Sequence, residues 1–185
     1  MKLSKDYKYT VLCEDKLSHC FTRRFLIAQG VNGRKIIMTS LPAAGCGEQY
    51  VRQQFPRYLT ALRSKSFDSN ILVVIIDADA KSCAERRSQF DEMCLDSNVR
   101  VCTENDRLLI FIPRRNIETW VKYYSGESVD EETDYAHYLN GHESDCYPAA
   151  DKMSEDFSKS EFSSTLTSLQ FAYKEYTKLI SLIRQ

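Results

Sequence analysis

Apolar positions along this chain fall into short dense runs, separated by stretches where they recur three or four apart. Tyr9 to Cys13 reads as a short buried strand, and Lys35 to Thr39 as a second, set off by the Asn32-Gly33 turn. Asn70 to Ile76 is apolar almost throughout, as expected of a strand covered on both faces. Leu108 to Ile112 is another such run, and Val99 to Cys102 has the composition of a further short strand. Between them lie helical patterns. One covers about His19 to Gln29, with Ser18 as N-cap and Gly30 as stop. A second covers about Glu48 to Lys65, where Pro56 predicts a kink or a fresh start. A third covers about Ser82 to Leu95. The alternation predicts an α/β three-layer sandwich on a mainly parallel sheet of about four strands.

Beyond Pro113 the pattern becomes helical: Asn116 to Tyr124 closed at Gly126, then a short helix within the acidic stretch Glu127 to Tyr138. Asn140 to Asp151 reads as loop, and a long helix is predicted from about Ser158 to Ile183. Its stripe Phe162, Leu166, Leu169, Tyr173, Tyr176, Ile180 and Ile183 alternates four and three apart. That spacing suits packing on the chain's own domain or a seam with a second copy or another protein. The chain therefore divides into an α/β core, 1–125, and a helical C-terminal extension, 126–185, packed on the core or on a partner.

A length of 185 residues suits one domain with its own core. No run is long enough for a membrane helix, and the N-terminus lacks an apolar leader, so the expectation is a cytoplasmic protein without membrane association. Seven cysteines with no CxxC pair read as reduced thiols, and their spacing counts against a zinc site. Cys46, in a glycine-rich loop, is the one to watch. The net charge of −1 hides a polarity. Residues 1–66 carry 12 Lys/Arg against 4 Asp/Glu, whereas 116–185 carry 6 against 13. A basic face with Arg23, Arg24, Arg52 and Arg57 would suit a polyanion, while attraction between the two ends of the chain is the plainer outcome.

Candidate chemistry sits at the ends of the apolar runs. The first ends in Glu14-Asp15 and the longest in Asp77-Ala78-Asp79. In a parallel sheet both belong to the carboxyl edge, where ligands gather. Carboxylates brought together there repel, and a hard cation such as Mg²⁺ relieves the repulsion and bridges to phosphate. Each Asp also has an ordinary use as a turn or helix cap. The loop Gly45-Cys46-Gly47 follows the second strand and would reach the same rim, where its amides and the next helix N-terminus could contact phosphate. Pro113-Arg114-Arg115-Asn116-Ile117-Glu118-Thr119-Trp120 starts at that edge too. Arg114 and Arg115 are candidate phosphate ligands, Glu118 lies in the first turn of a helix, and Trp120 suits core packing.

The order strand–Glu, glycine-containing loop, strand–Asp-x-Asp resembles the Toprim fold of topoisomerases, bacterial primases and overcoming-lysogenization-defect nucleases. Val11 to Asp15 is similar to its first motif and Ile75 to Asp79 to its second. Pro113 to Trp120 resembles a stretch in small standalone Toprim-like proteins of the RloB type, associated with restriction and phage-defence loci. Asp15 stands where a glycine is usual, and Ala80-Lys81 follows the second motif without a family signature. The resemblance implies a Toprim-like sheet and Mg²⁺-dependent hydrolysis of DNA or RNA, with Mn²⁺ as substitute. It implies Glu14 as metal ligand or general acid/base, Asp77 and Asp79 as metal ligands, and Glu118 as a catalytic group near a second ion. No tyrosine has the context of a topoisomerase nucleophile. The other expectation is a non-catalytic Toprim-like interaction subunit, working with a partner such as an ATPase or as a homodimer through the C-terminal heptad helix.

Overall fold

A computed structural model describes residues 2–41, 46–64, 69–139 and 141–184. Four strands form one all-parallel sheet: β1 (Lys8–Cys13), β2 (Ile36–Met38), β3 (Asn70–Ile75) and β4 (Leu108–Phe111), in the order β2-β1-β3-β4. Cys13 pairs with Ile75 and Ile75 with Phe111, so three strands end level. The segments that follow β1, β3 and β4 therefore leave the sheet at one edge.

Six helices cover the sheet. α2 (Gly47–Leu62) and α3 (Cys83–Asp96) lie on one face, where Val51, Phe55, Leu59 and Phe90 meet Leu12, Leu72, Val74 and Ile110. α1 (Lys16–Ala28), α4 (Ile117–Tyr124), α5 (Tyr147–Ser158) and α6 (Thr167–Ile183) cover the other. There Phe25, Trp120, Phe157 and Tyr176 meet Val11, Val73 and Phe111. Successive strand residues serve opposite cores, which is why β3 is apolar along its length. Gly30 and Gly126, both at positive φ, follow the ends of α1 and α4, where the left-handed turn favours glycine. Trp120 is fully buried and donates from Nε1 to Ser168 Oγ at 2.7 Å, in keeping with its reading as core. None of the described helices is long and apolar enough to cross a membrane.

Several local expectations are corrected. α1 begins three residues early, and its N-cap is Asp15, whose carboxylate accepts from Ser18 N at 2.7 Å. Ser18 is inside the helix, one face of which it buries. Pro56 lies within a single continuous α2. Val99 to Cys102 forms no strand. The acidic stretch 127–138 is a strap of turns: Asp130 Oδ1 accepts from Glu132 N and Thr133 N, a local bond that competes with helix. Part of the expected loop 140–151 is helical, a 3₁₀ turn (Glu143–Cys146) leading into α5, with Pro148 in the first turn.

The predicted terminal helix starts late: α6 begins at Thr167, and 159–166, expected to be its first turns, instead form a non-helical link from α5. Ser164 Oγ accepts from Leu166 N there, and Glu131, from the strap, accepts from the amides of Thr167 and Ser168 at the start of α6. Of the heptad stripe, Leu166, Leu169, Tyr176 and Ile180 are buried in the chain's own core. Phe162, Tyr173 and Ile183 pack at its margin.

Phe157 of α5 joins the C-terminal helices to the sheet, with ring contacts to Phe25 at 5.8 Å, Phe111 at 6.3 Å and Tyr176 at 5.4 Å. Phe157→Ala is expected to cost about 3–5 kcal/mol. Urea unfolding followed by Trp120 fluorescence and by far-UV circular dichroism should shift together. Separate transitions would mean that 126–185 unfolds apart from the core.

Candidate active site

The level strand ends place the acidic residues together. Glu14 follows β1 directly, Asp77 lies two residues past β3, and Glu118 occupies the first turn of α4, six residues beyond Ile112. Glu14 Oε1 accepts from Asp77 N at 2.5 Å, locking the end of β1 to the end of β3. Asp77 Oδ1 is buried and has no hydrogen-bond partner among the described residues. Past it the chain folds against the β4 exit: Ala78 N donates to Pro113 O and Asp79 N to Arg115 O. Asp79 and Arg115 face each other as an isolated bridge, both with left-handed backbone, φ 53° and 64°. Two non-glycine residues in that region at one edge are strained, the kind of strain that collects at functional sites.

Electrostatics follow from burial of like charges. Glu14 is pushed up to about 7, first by burial, then by Asp15 and Asp79, against the lowering effect of the Asp77 amide. Glu118 also reaches about 7, again through burial first, then Asp15 and Asp134. Asp77 is held well above the usual carboxylate range by burial and by Glu14, Asp15, Glu118 and Asp79. These groups feel one another, so protons stand in here for a missing positive charge.

Glycine and arginine complete the edge. Gly47, the first residue of α2, sits against Glu14 so closely that an added Cβ would lie 2.6 Å from Glu14 Cβ and 2.7 Å from its carbonyl oxygen. The phosphate role read for Gly47 thus has a packing explanation, while Gly45 lies outside the described residues. Cys46 is exposed and offers no side-chain cap to α2. Arg86 of α3, absent from the sequence reading, is fully buried. It donates to Asp79 Oδ2 at 2.6 Å, to Gln89 at 3.0 Å and to Glu48 of α2. Its signal in sequence is only its place one helical turn after the Ser82 cap.

Arg114 and Arg115 turn toward the acidic strap. Arg114 Nη2 donates to Glu132 Oε1 at 2.8 Å, and Arg115 Nε to the Glu132 carbonyl at 2.7 Å. Asn116 donates to Asp134 at 2.6 Å. Of the basic face, Arg24 is paired with Asp151 through two bonds of 2.6 Å, and Arg23, Arg52 and Arg57 are exposed.

No three His, Cys, Asp or Glu side chains among the described residues already converge as a metal-binding set. Glu14, Asp15 and Asp79 each have one carboxylate oxygen committed to an internal donor. Mg²⁺ is commonly held by one or two carboxylates with waters completing the octahedron. The orphaned Asp77 Oδ1, beside a carboxylate pair that burial leaves protonated, fits that requirement. Comparison of the chain with protein-family models, curated proteins and solved structures gives no match.

Two outcomes test this geometry. Gly47→Ala should destabilise the fold by about 1–3 kcal/mol, because backbone must move to admit the methyl group; chemical denaturation measures it. Glu14 and Glu118 ionise near 4.5 when unfolded but near 7 when folded. Their contribution is therefore complete below about pH 4.5 and is lost as pH rises to about 7. Without divalent ions, unfolding free energy should fall across pH 5 to 7. Glu14→Gln keeps an acceptor for the Asp77 amide but removes a charge, and should flatten that fall by up to about 3 kcal/mol. An unchanged slope would contradict the burial assigned to Glu14.

Proposed function

We propose that this chain is a Mg²⁺-dependent nuclease with a Toprim-like acidic site, hydrolysing phosphodiesters of DNA or RNA. The observation that carries the reading is the buried Asp77 Oδ1, without a hydrogen-bond partner among the described residues, amid carboxylates that repel one another at the sheet's carboxyl edge. Asp77, Glu14 and the free oxygen of Asp79 would hold the ion. Bound Mg²⁺ would supply Lewis-acid polarisation of a phosphoryl oxygen and a more acidic water. Glu118, a carboxyl titrating near neutrality, can take the proton from an attacking water. Glu14 fixes the Asp77 backbone, so the ligand oxygen is aimed before substrate arrives. Arg114 and Arg115 lie at the same rim and suit phosphate once freed from Glu132.

A second reading, a partner-dependent subunit that does not cleave, draws support from one contact: Glu132 already occupies both of those arginines. Incubation of the purified chain with single- and double-stranded DNA and RNA, with Mg²⁺ or Mn²⁺, separates the two. The nuclease reading expects metal-dependent cleavage that Asp77→Asn lowers by at least the roughly 100-fold reached by changes around metal centres. Cleavage insensitive to Asp77→Asn, or none with any substrate and either ion, would leave the subunit reading.

A further inference from the structure

Arg86 is the one Lys or Arg side chain among the described residues that is fully buried. A guanidinium is removed from water at large cost unless its donors are matched. Its partners are informative. Nη2 takes Asp79 Oδ2, and Nη1 takes Glu48 and Gln89. Nε has no partner among the described residues. A purely structural ion pair would be expected to bury both signs. Here the arginine is buried, whereas the side chains of Asp79 and Glu48 remain 63% and 39% exposed. The cation is thus sunk beneath the edge, with its carboxylates facing outward above it.

Asp79 uses one carboxylate oxygen on Arg86 and keeps its left-handed backbone through the bridge to Arg115. Two restraints on one residue set the direction of its remaining oxygen. Glu48 follows Gly47, which packs on Glu14. Arg86 therefore ties the second acidic motif to the helix turn that braces the first. A guanidinium fork is suited to this, since its donors diverge at fixed angles toward two carboxylates.

Resting on the metal-centre reading above, we infer that Arg86 is a positioning residue for the cation site. It orients Asp79 through Oδ2, leaving Oδ1 for the divalent ion, and holds the start of α2 against Glu14 through Glu48. Its guanidinium takes Asp79 Oδ2 and leaves the other oxygen of that carboxylate open.

The test is Mn²⁺ binding, read by loss of the free-ion electron paramagnetic resonance signal, alongside metal-free thermal melts. The variants are Arg86→Lys, which retains the charge but not the fork, and Glu48→Ala, which cuts one arm at a half-exposed position. Arg86→Lys is expected to weaken Mn²⁺ about 10–100-fold, as for other groups that orient metal ligands. Glu48→Ala should weaken it less, with a melting temperature close to the parent's. Affinity that falls in Glu48→Ala while the melt stays put separates positioning from general loss of structure. Parent-like affinity in both folded variants would overturn the role of Arg86 and leave the metal centre standing. A parent chain that takes up no Mn²⁺ at millimolar concentration would overturn the metal-centre reading, and this role with it.

Discussion

Repulsion between carboxylates at the end of a parallel sheet is the constraint around which this molecule is arranged. Parallel strands of equal register discharge their chains at one edge, and here three of those exits carry acid. In a low-dielectric setting such charges are tolerated only with protons, hydrogen-bond donors or cations nearby. All three devices occur. Protons remain on Glu14 and Glu118 to about pH 7, the Asp77 amide binds Glu14, and Arg86 underlies Asp79. Asp77 is likewise held well above the usual carboxylate range, yet its buried Oδ1 has no hydrogen-bond partner among the described residues. That imbalance is what makes this edge a candidate for chemistry, where an acidic tip alone would be a turn.

The two cores explain how the edge is kept rigid. α2 and α3 share one face of the sheet, so the Glu48–Arg86 contact is made between helices already packed together through Phe55 and Phe90, 4.6 Å apart. On the other face α1 is capped by Asp15, beside Glu14, and its Phe21 and Phe25 reach the aromatic cluster around Trp120 and Phe111. Glu14 thus stands between a helix that begins two residues later and another that presses a glycine on its backbone. Small movements there would meet close-packed neighbours on both sides.

The alternation of strands and helices was legible because its signal is local: apolar runs for strands covered on both faces, and stripes broken by Gly30 and Gly126. The residues at the strand ends were legible for the same reason, since topology alone brings Glu14, Asp77 and Glu118 to one edge. What escaped depends on distant partners. The seven-residue stripe starts at Phe162 as if helical there, but Ser164 accepts from Leu166 N and Glu131 reaches from the strap to the amides of Thr167 and Ser168, so the helix begins only at Thr167. Asp15 outcompeted Ser18 as cap because a carboxylate at the strand end reaches the Ser18 amide. Arg86 was invisible as a functional residue, because a cation on a helix ordinarily faces water and nothing nearby in sequence marks it for burial.

The charge polarity of the chain finds an internal outlet in this fold. Arg24 near the N-terminus pairs with Asp151 and Arg114 with Glu132, so part of the basic surface is neutralised by the acidic C-terminal third, while Arg115 donates to the Glu132 carbonyl. The two contacts differ in kind. Arg24 and Asp151 join α1 to α5 through two parallel bonds between half-exposed side chains, a fixed feature of packing. Glu132, by contrast, leaves 78% of its side chain in water while Arg114 is 20% exposed. A surface pair of that sort contributes at most about 1 kcal/mol and is screened by salt. The strap's own anchor, Glu131 on the α6 amides, lies one residue away and need not move with it. Of the two internal pairings, the Glu132 contact is thus the one that added salt or a competing anion would loosen first.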